Sequence, residues 1–163
     1  MTDTSKTTGE VVALPLPSLS AKDKRRAEAK YGKAVMAHGY TLVPNLMLQG
    51  QAHLKISPTA FNVLMQLLLH WWDANEPPHP SIKRIAQRMN KSPRSLFRYF
   101  DELEEAGLVE REARYRGKKA QTTSAYKLNG LTAKLKEIEP AMTAAKKFKD
   151  KRVEKAEAAS TAA

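Results

Sequence analysis

Cysteine is absent from this chain of 163 residues. Disulfide scaffolds, thiolate zinc sites, iron–sulfur clusters and thiol catalysis are therefore excluded, because each requires a cysteine sulfur. Long apolar runs are also missing, since the longest stretch, residues 63–72, is interrupted by Gln66 and His70. A membrane-spanning helix needs about 20 apolar residues, so no membrane partner is expected. The N-terminus has no apolar segment typical of a secretory signal, which favours a cytoplasmic protein.

Acidic residues are too few to balance the basic ones. The chain has 28 Lys and Arg against 17 Asp and Glu, which gives a formal net charge of +11 at pH 7. A basic surplus of this size favours a polyanionic partner such as nucleic acid. The hydrophobic fraction is 42%, which is enough for a core and excludes a wholly disordered chain.

Composition divides the chain into three segments. Residues 1–39 combine charged residues with Ser, Thr and Pro, and we predict a flexible basic arm that turns into a short charged helix at 21–30. Residues 40–130 hold both tryptophans and nearly all the large hydrophobic residues, as a folded domain requires. Residues 131–163 become rich in Ala and Lys, which predicts a charged tail that is either helical or disordered.

Three helix starts are visible in the central segment. Each places a hydroxyl N-cap before the helix, and two have proline at the first helical position: Ser57-Pro58, Ser81 and Ser92-Pro93. Apolar residues at three- and four-residue spacing follow each start, in the first helix as far as Trp72. The prolines of residues 76–80 end that first helix, and Gly107 fits the position just past the third.

The periodicity changes after Gly107. Residues 108–115 and 124–128 predict two strands, and the basic loop 116–123 between them predicts a β-hairpin. Residues 41–48 are expected either to form a third strand or to lie over the core. The predicted fold is therefore mainly α (α+β), with three helices that contain a helix-turn-helix and a hairpin of two to three strands.

The distribution of charge points to the third helix as the DNA contact. Residues 83–98 contain six basic and no acidic residues, whereas residues 101–112 contain six acidic residues and one basic residue. A helix in the major groove should be basic where it meets phosphates and can be acidic where it leaves them. The sign change partway along the third helix fits that geometry.

The predicted DNA contacts come from the helix-turn-helix and from the hairpin. Arginine can bond guanine O6 and N7, and serine can bond several base edges, so the expected base contacts are Arg94, Ser95 and Arg98. Contacts nearer the phosphates are expected from Ser81, Lys83, Lys91 and Ser92. The hairpin residues expected on the adjacent backbone or minor groove are Arg114, Arg116, Lys118, Lys119 and Gln121.

Residues 81–112, SIKRIAQRMNKSPRSLFRYFDELEEAGLVERE, resemble the winged helix-turn-helix domains of bacterial regulators and of plasmid or phage replication proteins. The matching positions are Ala86, Ser92, Arg94, Leu103, Gly107, Leu108 and Val109. The resemblance covers about residues 57–129 and implies DNA binding, with Arg94, Ser95 and Arg98 at the recognition positions and a wing at 114–124. Phe97 stands where a polar residue would be expected.

These observations predict a sequence-specific transcription regulator that binds double-stranded DNA as a homodimer through residues 31–56 and 131–139. The alternative is a plasmid or phage replication-initiation or partition protein, and a replication or transcription protein is a further expected partner. A third class is an architectural or RNA-binding protein that uses charge without sequence. Residues 141–163 could add sequence-independent affinity for DNA in any of these classes.

No catalytic, metal or cofactor site is predicted, and the protein is not expected to be an enzyme. The four histidines have no metal-ligand spacing and no cysteine partners: His38, His53, His70 and His79. No Ser, His and Asp arrangement lies on recognisable elements. Trp71 and Trp72 could offer a stacking platform for single strands, but their helical spacing favours burial in the core.

Overall fold

The structure, a computed structural model, describes residues 20–116 and 120–161, and for residues 116, 120, 121 and 154–161 it describes the backbone only. The first part of the predicted arm, residues 1–19, lies outside this description. The chain forms two compact units, residues 1–40 and residues 41–163.

The described part of the first unit is helical. Helix α1 (Ala21–Tyr31) begins at Ser20, whose hydroxyl accepts a hydrogen bond from the backbone N–H of Asp23 at 3.1 Å, and Gly32 ends it at a φ of 88°. Helix α2 (Lys33–Met36) follows directly. Neither helix contains a buried residue. Composition therefore predicted the helix at 21–30 correctly, and its local stability comes from capping and charge.

The second unit contains five helices and four short strands among its described residues. In chain order these are α3 (Asn45–Gln49), a 3₁₀ turn (Gln51–Leu54), α4 (Pro58–Leu68), α5 (Ile82–Arg88), α6 (Pro93–Glu105), β1 (Glu110–Glu112), β2 (Tyr115–Arg116), β3 (Ala120–Gln121), β4 (Ala125–Lys127) and α7 (Asn129–Thr161). All three predicted N-caps are present, because the hydroxyls of Ser57, Ser81 and Ser92 each accept a backbone N–H at the start of α4, α5 and α6.

The core lies between α4, α6 and the base of the hairpin. Helix α4 buries six residues, and α6 buries Leu96, Phe100 and Leu103 at the spacing of one helix face. The Phe100 ring stacks on Tyr126 of β4, with centroids 4.8 Å apart and planes inclined by 19°. Full burial of one such apolar side chain contributes about 1.5–3 kcal/mol to stability, so this face fixes the position of α6.

The strands form one hairpin with two ladders. In the first, β1 pairs with β4 from Glu110↔Lys127 to Glu112↔Ala125, and in the second β2 pairs with β3 through Tyr115↔Gln121. Between the ladders the returning strand has one residue more than the outgoing strand, which is the count of a β-bulge. Three helices that contain a helix-turn-helix, followed by this hairpin, confirm the predicted winged helix-turn-helix fold.

The segment at 41–48 does not form the third strand that we considered. Residues 45–49 are helix α3, which begins after Pro44 and buries Met47. A third strand would need an edge to pair with. The outer edge of β4 is already used, because the Tyr126 N–H donates to the carbonyl oxygen of Pro78 at 2.9 Å.

Helix α4 is shorter than its apolar spacing suggests. It ends at Leu68, and Trp71 and Trp72 are half-buried in the connection that follows, where they line an apolar cavity of about 270 Å³ with Leu131. The prediction that both tryptophans are buried on a continuous helix was therefore only partly correct. The chain leaves the helix here because the proline-rich segment must reach β4, where Pro78 accepts the Tyr126 N–H.

Helix α7 extends the core beyond the domain boundary predicted at residue 130. Its first turns bury Leu131 and Ile138, and the Leu131 N–H donates to the carbonyl oxygen of Leu108 at 2.9 Å. Two residues of the surface at 131–139 that we expected to pair two copies, Leu131 and Ile138, are therefore buried within the protomer, whereas Ala133, Lys136, Glu137 and Glu139 are exposed. The remainder of the predicted tail is helical to Thr161. None of the described helices is sufficiently long and apolar to span a membrane.

Two glycines meet where α7 begins. A Cβ atom on Gly130 would lie 1.9 Å from the carbonyl oxygen of Gly107, whereas a Cβ on Gly107 would have nothing within 4 Å. Gly107 itself has a φ of 67°, a left-handed conformation that asparagine also tolerates. Position 130 therefore requires glycine because there is no space for a Cβ atom. Position 107 requires a residue that tolerates a left-handed backbone conformation.

We expect Gly130→Ala to lower the free energy of unfolding by at least about 1–3 kcal/mol, because a backbone oxygen cannot yield to the added methyl group without moving α7. Gly107→Asn is the matched variant and should cost less than about 1 kcal/mol. Urea unfolding followed by circular dichroism measures both. A Gly130→Ala protein as stable as the unmodified chain would contradict the close approach.

Candidate nucleic-acid interface

Helices α5 and α6 are joined by a four-residue turn, residues 89–92. Asn90 adopts a φ of 50° in this turn, and the Lys91 N–H donates to the carbonyl oxygen of Ala86 at 2.9 Å. Ser92 then caps α6 by accepting the Ser95 N–H at 3.1 Å. Short side chains and a left-handed asparagine therefore produce the tight turn that places α6 across α5.

Helix α6 has an inner and an outer face of different chemistry. Its inner face is the buried Leu96, Phe100 and Leu103, and its exposed residues at three- and four-residue spacing are Arg94, Phe97, Arg98, Asp101 and Glu105. We call the first three of these exposed residues, Arg94, Phe97 and Arg98, the outer face of α6. Arg94 and Arg98 are about 6 Å apart along the helix axis, since the rise is about 1.5 Å per residue. That distance corresponds to about two base-pair steps of B-DNA.

The predicted serine contacts are engaged in capping. Ser92 and Ser81 accept backbone N–H groups at the starts of α6 and α5. Ser95 is half-buried, and its hydroxyl donates to the carbonyl oxygen of Ser92 at 2.8 Å. The Ser95 oxygen keeps lone pairs for an incoming donor, but its own proton is already used. The structure thus brings Arg94 and Arg98 together on the outer face and leaves Ser95 beside it.

Six exposed cations lie on α5, the turn and α6, and two of them belong to the outer face itself: Lys83, Arg84, Arg88, Lys91, Arg94 and Arg98. Among the side chains described in residues 41–115 and 122–153, no carboxylate lies within 4.0 Å of any of the six. The Arg98 guanidinium instead lies 6.0 Å from the centre of the Tyr99 ring. The surface around the outer face therefore carries uncompensated positive charge, which attracts phosphate.

Three of the four acidic residues in the second half of α6 have partners inside the protein: Asp101, Glu102 and Glu104. Both carboxylate oxygens of Glu102 accept hydrogen bonds from Ser57, one from its N–H and one from its hydroxyl. Arg111 of β1 pairs with Glu104 at 2.9 Å and with Asp101 at 3.2 Å. We interpreted the change from basic to acidic residues along α6 through DNA geometry. The structure gives it a further cause, because the acidic half joins the helix to α4 and to the hairpin.

The wing residues are described in part. Arg114 is half-buried, and its carbonyl oxygen accepts the Thr122 N–H at 2.9 Å across the hairpin. The backbones of Arg116 and Gln121 lie on β2 and β3, and the predicted contacts Lys118 and Lys119 lie outside the described residues. Tyr115, which sequence reasoning missed, is 66% exposed on β2.

His70 is a second residue that sequence reasoning did not place near the interface. Its Nε2 lies 3.0 Å from Nη1 of Arg88. Because a guanidinium only donates, this contact requires the neutral imidazole with its proton on Nδ1. Burial lowers the pKa of His70 below its usual 6.5, and the charges of Arg88 and Arg84 lower it further. His70 thus orients one of the six cations only while it is unprotonated.

This lowered pKa predicts that stability declines in acid. Below about pH 6.5 the unfolded chain takes up a proton at His70 that the folded state excludes, so the free energy of unfolding should fall as pH drops from 7.5 to 5.5. One group contributes a slope of at most about 1.4 kcal/mol per pH unit. His70→Gln should make the pH dependence of urea unfolding shallower.

The matched control is His53→Gln, since His53 is exposed and makes no hydrogen bond with other side chains of the described residues. The change in slope caused by His70→Gln is measured against that caused by His53→Gln. Equal slopes for the unmodified chain and His70→Gln would show that His70 does not exclude a proton on folding.

Glu102 should be important for stability although it is not on the outer face. Glu102→Ala leaves the partly buried Ser57 N–H without its acceptor, and we expect a loss of about 1–3 kcal/mol in the free energy of unfolding. Glu105→Ala is the control, because Glu105 is exposed, and it should change stability by less than about 0.5 kcal/mol. Urea denaturation measures both variants. Similar losses in the two would show that the hydrogen bonds from Ser57 to Glu102 do not stabilise the fold.

Comparison with known proteins agrees with this local geometry. Residues 54–109 match a family model for a helix-turn-helix domain. No curated protein matches the chain significantly. Among solved structures, the transcriptional regulator PA3341 is similar at 24% identity and a TM-score of 0.37, over 72% of this chain and 77% of that one. The YusO protein from Bacillus subtilis is similar at 19% identity and a TM-score of 0.37, over 83% and 99%.

The assignment of residues 54–109 as a helix-turn-helix domain rests on the family match and on the geometry of α5, the turn at 89–92 and α6.

Proposed function

We propose that this chain, whose residues 54–109 form a helix-turn-helix domain, is a sequence-specific transcription regulator that binds double-stranded DNA. Helix α6 enters the major groove, and the wing contacts the adjacent backbone or minor groove. The observation that carries the proposal is the outer face of α6. It presents Arg94 and Arg98, without a carboxylate partner among the described residues of the second unit, on the second helix of the domain.

The dimensions and chemistry of that face suit base contacts. A helix with its side chains is about 10–12 Å across, and the major groove is about 12 Å wide. Arginine donates two parallel hydrogen bonds to O6 and N7 of guanine, which distinguishes that base from the others. Arg94 and Arg98 would contact guanines about two base-pair steps apart, since the helix rises about 6 Å between them.

Phosphate contacts come from the cations around the outer face. Lys83 and Lys91 are exposed near the starts of α5 and α6, where they can neutralise the backbone on either side of the groove. Arg114 and the other predicted wing residues extend the contact along the duplex: Arg116, Lys118, Lys119 and Gln121. These contacts add affinity without selecting a base.

The proposal includes a homodimer. A single module of this size buries about 600–1,000 Å² on DNA, and pairing two modules extends the site. Leu42 and Leu48, within the predicted surface at 31–56, are 73% and 51% exposed. Phe148 and Val153 are exposed further along α7, beyond the part that packs on the core. These exposed apolar side chains support a self-association surface at the start of the second unit and on the later turns of α7.

The decisive experiment is selection of bound duplexes from a random pool with the full chain. We expect a defined sequence with two symmetric half-sites, spaced by about 10–10.5 base pairs or a multiple of it. Recovery of no common sequence, together with loss of binding to random duplex at about 0.2 M salt, would indicate binding by charge alone and would overturn the proposal.

Arg98→Ala tests the base contact on the selected duplex. We expect a loss of about 1–3 kcal/mol in binding free energy and a relaxed preference at one base position, because the bidentate contact with guanine is removed. Fluorescence anisotropy with the selected and with random duplex measures both effects.

Lys91→Ala is the control, since a phosphate contact should weaken binding to all sequences alike. If Arg98→Ala weakens binding to selected and random duplex by the same factor, Arg98 does not contact a base.

A further inference from the structure

Phe97 is an exposed aromatic residue among cations. Its side chain is 46% exposed, and it lies on the outer face of α6 three residues after Arg94 and directly before Arg98. The packing of α6 does not use it, because the buried face consists of Leu96, Phe100 and Leu103. Isolated exposed apolar residues are common on protein surfaces, but this one shares a helical face with the two arginines proposed to contact bases.

We propose that Phe97 is a specificity-determining residue that contacts the C5-methyl group of a thymine in the major groove. This inference rests on the proposed function of α6. The thymine methyl is the apolar group that base pairs present in this groove, and phenylalanine is among the side chains that contact it. Contact removes both apolar surfaces from water, which gives thymine an advantage over the other bases at that position.

The position of Phe97 along the helix limits where this thymine lies. Phe97 is about 4.5 Å along the axis from Arg94 and about 1.5 Å from Arg98, because the rise is about 1.5 Å per residue. With base pairs about 3.4 Å apart, the thymine should lie within one step of the guanine that Arg98 contacts. Phe97 and Arg98 point about 100° apart around the helix, so the ring and the guanidinium contact different base edges.

The surrounding charge favours DNA over a protein as the occupant of this surface. Arg94 and Arg98 are exposed beside Phe97 on α6, and neither pairs with a carboxylate among the described side chains of the second unit, while the exposed Asp101 carboxylate one turn further pairs with Arg111. A partner must therefore combine dense negative charge with a small apolar group. The major groove at a thymine supplies both, through the flanking phosphates and the methyl group.

The test replaces each thymidine of the selected duplex, one at a time, by deoxyuridine, which lacks only the C5-methyl group. For the unmodified protein we expect one position, within one step of the Arg98 guanine, at which the Kd rises by about 3- to 10-fold, the scale of one buried methyl group. Phe97→Ala should weaken binding to the thymidine duplex by a similar factor and should no longer distinguish the two duplexes.

Two further variants serve as controls in the same anisotropy titrations. Phe97→Leu keeps an apolar side chain and should retain part of the discrimination, while Arg98→Ala should retain all of it. Circular dichroism melting checks that each variant is folded. Undiminished discrimination in Phe97→Ala, or insensitivity of the unmodified protein to every deoxyuridine, would overturn the inference.

These outcomes are separable from the fate of the proposed function. If no sequence is selected from the random pool, the DNA-binding proposal itself fails. If a sequence is selected but Phe97→Ala binds it unchanged and instead loses self-association in sedimentation velocity, the ring contacts a second copy of the chain. The thymine contact is then wrong, and the regulator proposal stands.

Discussion

The stacking of Phe100 on Tyr126 is the contact on which the rest of the second unit depends. It joins the inner face of α6 to β4, with ring centroids 4.8 Å apart, and both side chains are fully buried. The burial raises the pKa of the Tyr126 phenol to about 12. The backbone N–H of Tyr126 also donates a hydrogen bond to the carbonyl oxygen of Pro78, which attaches the proline-rich connection to β4. A change in this contact would therefore alter the angle between α6 and the wing.

Electrostatics then divides α6 along its length. Three carboxylates of its acidic half have partners inside the protein, since Glu102 accepts hydrogen bonds from Ser57 and both Asp101 and Glu104 pair with Arg111. Its basic half has no such partners among the described residues of the second unit. The internal pairs hold the helix in place, and the unpaired cations remain available to phosphates and bases.

Local signals predicted much of the fold because they act over three or four residues. Serine caps and prolines at the first helical position located the starts of α4, α5 and α6 correctly, and Gly107 located the end of α6. Signals that depend on distant partners failed. The segment at 41–48 is partly helical because β4 has no free edge for a further strand at Tyr126. The core continues into α7 because Leu131 and Ile138 find apolar neighbours that composition cannot reveal.

The candidate site shows the same division. The sequence alone determined that a basic, capped helix follows a tight turn and precedes a hairpin, because helix caps and charge distribution are local properties. Only the tertiary structure decided that Glu102 accepts hydrogen bonds from Ser57 at the start of α4, and that Phe97 faces outward with Arg94 and Arg98. The reason is physical: which side of a helix meets water depends on what packs against its other side.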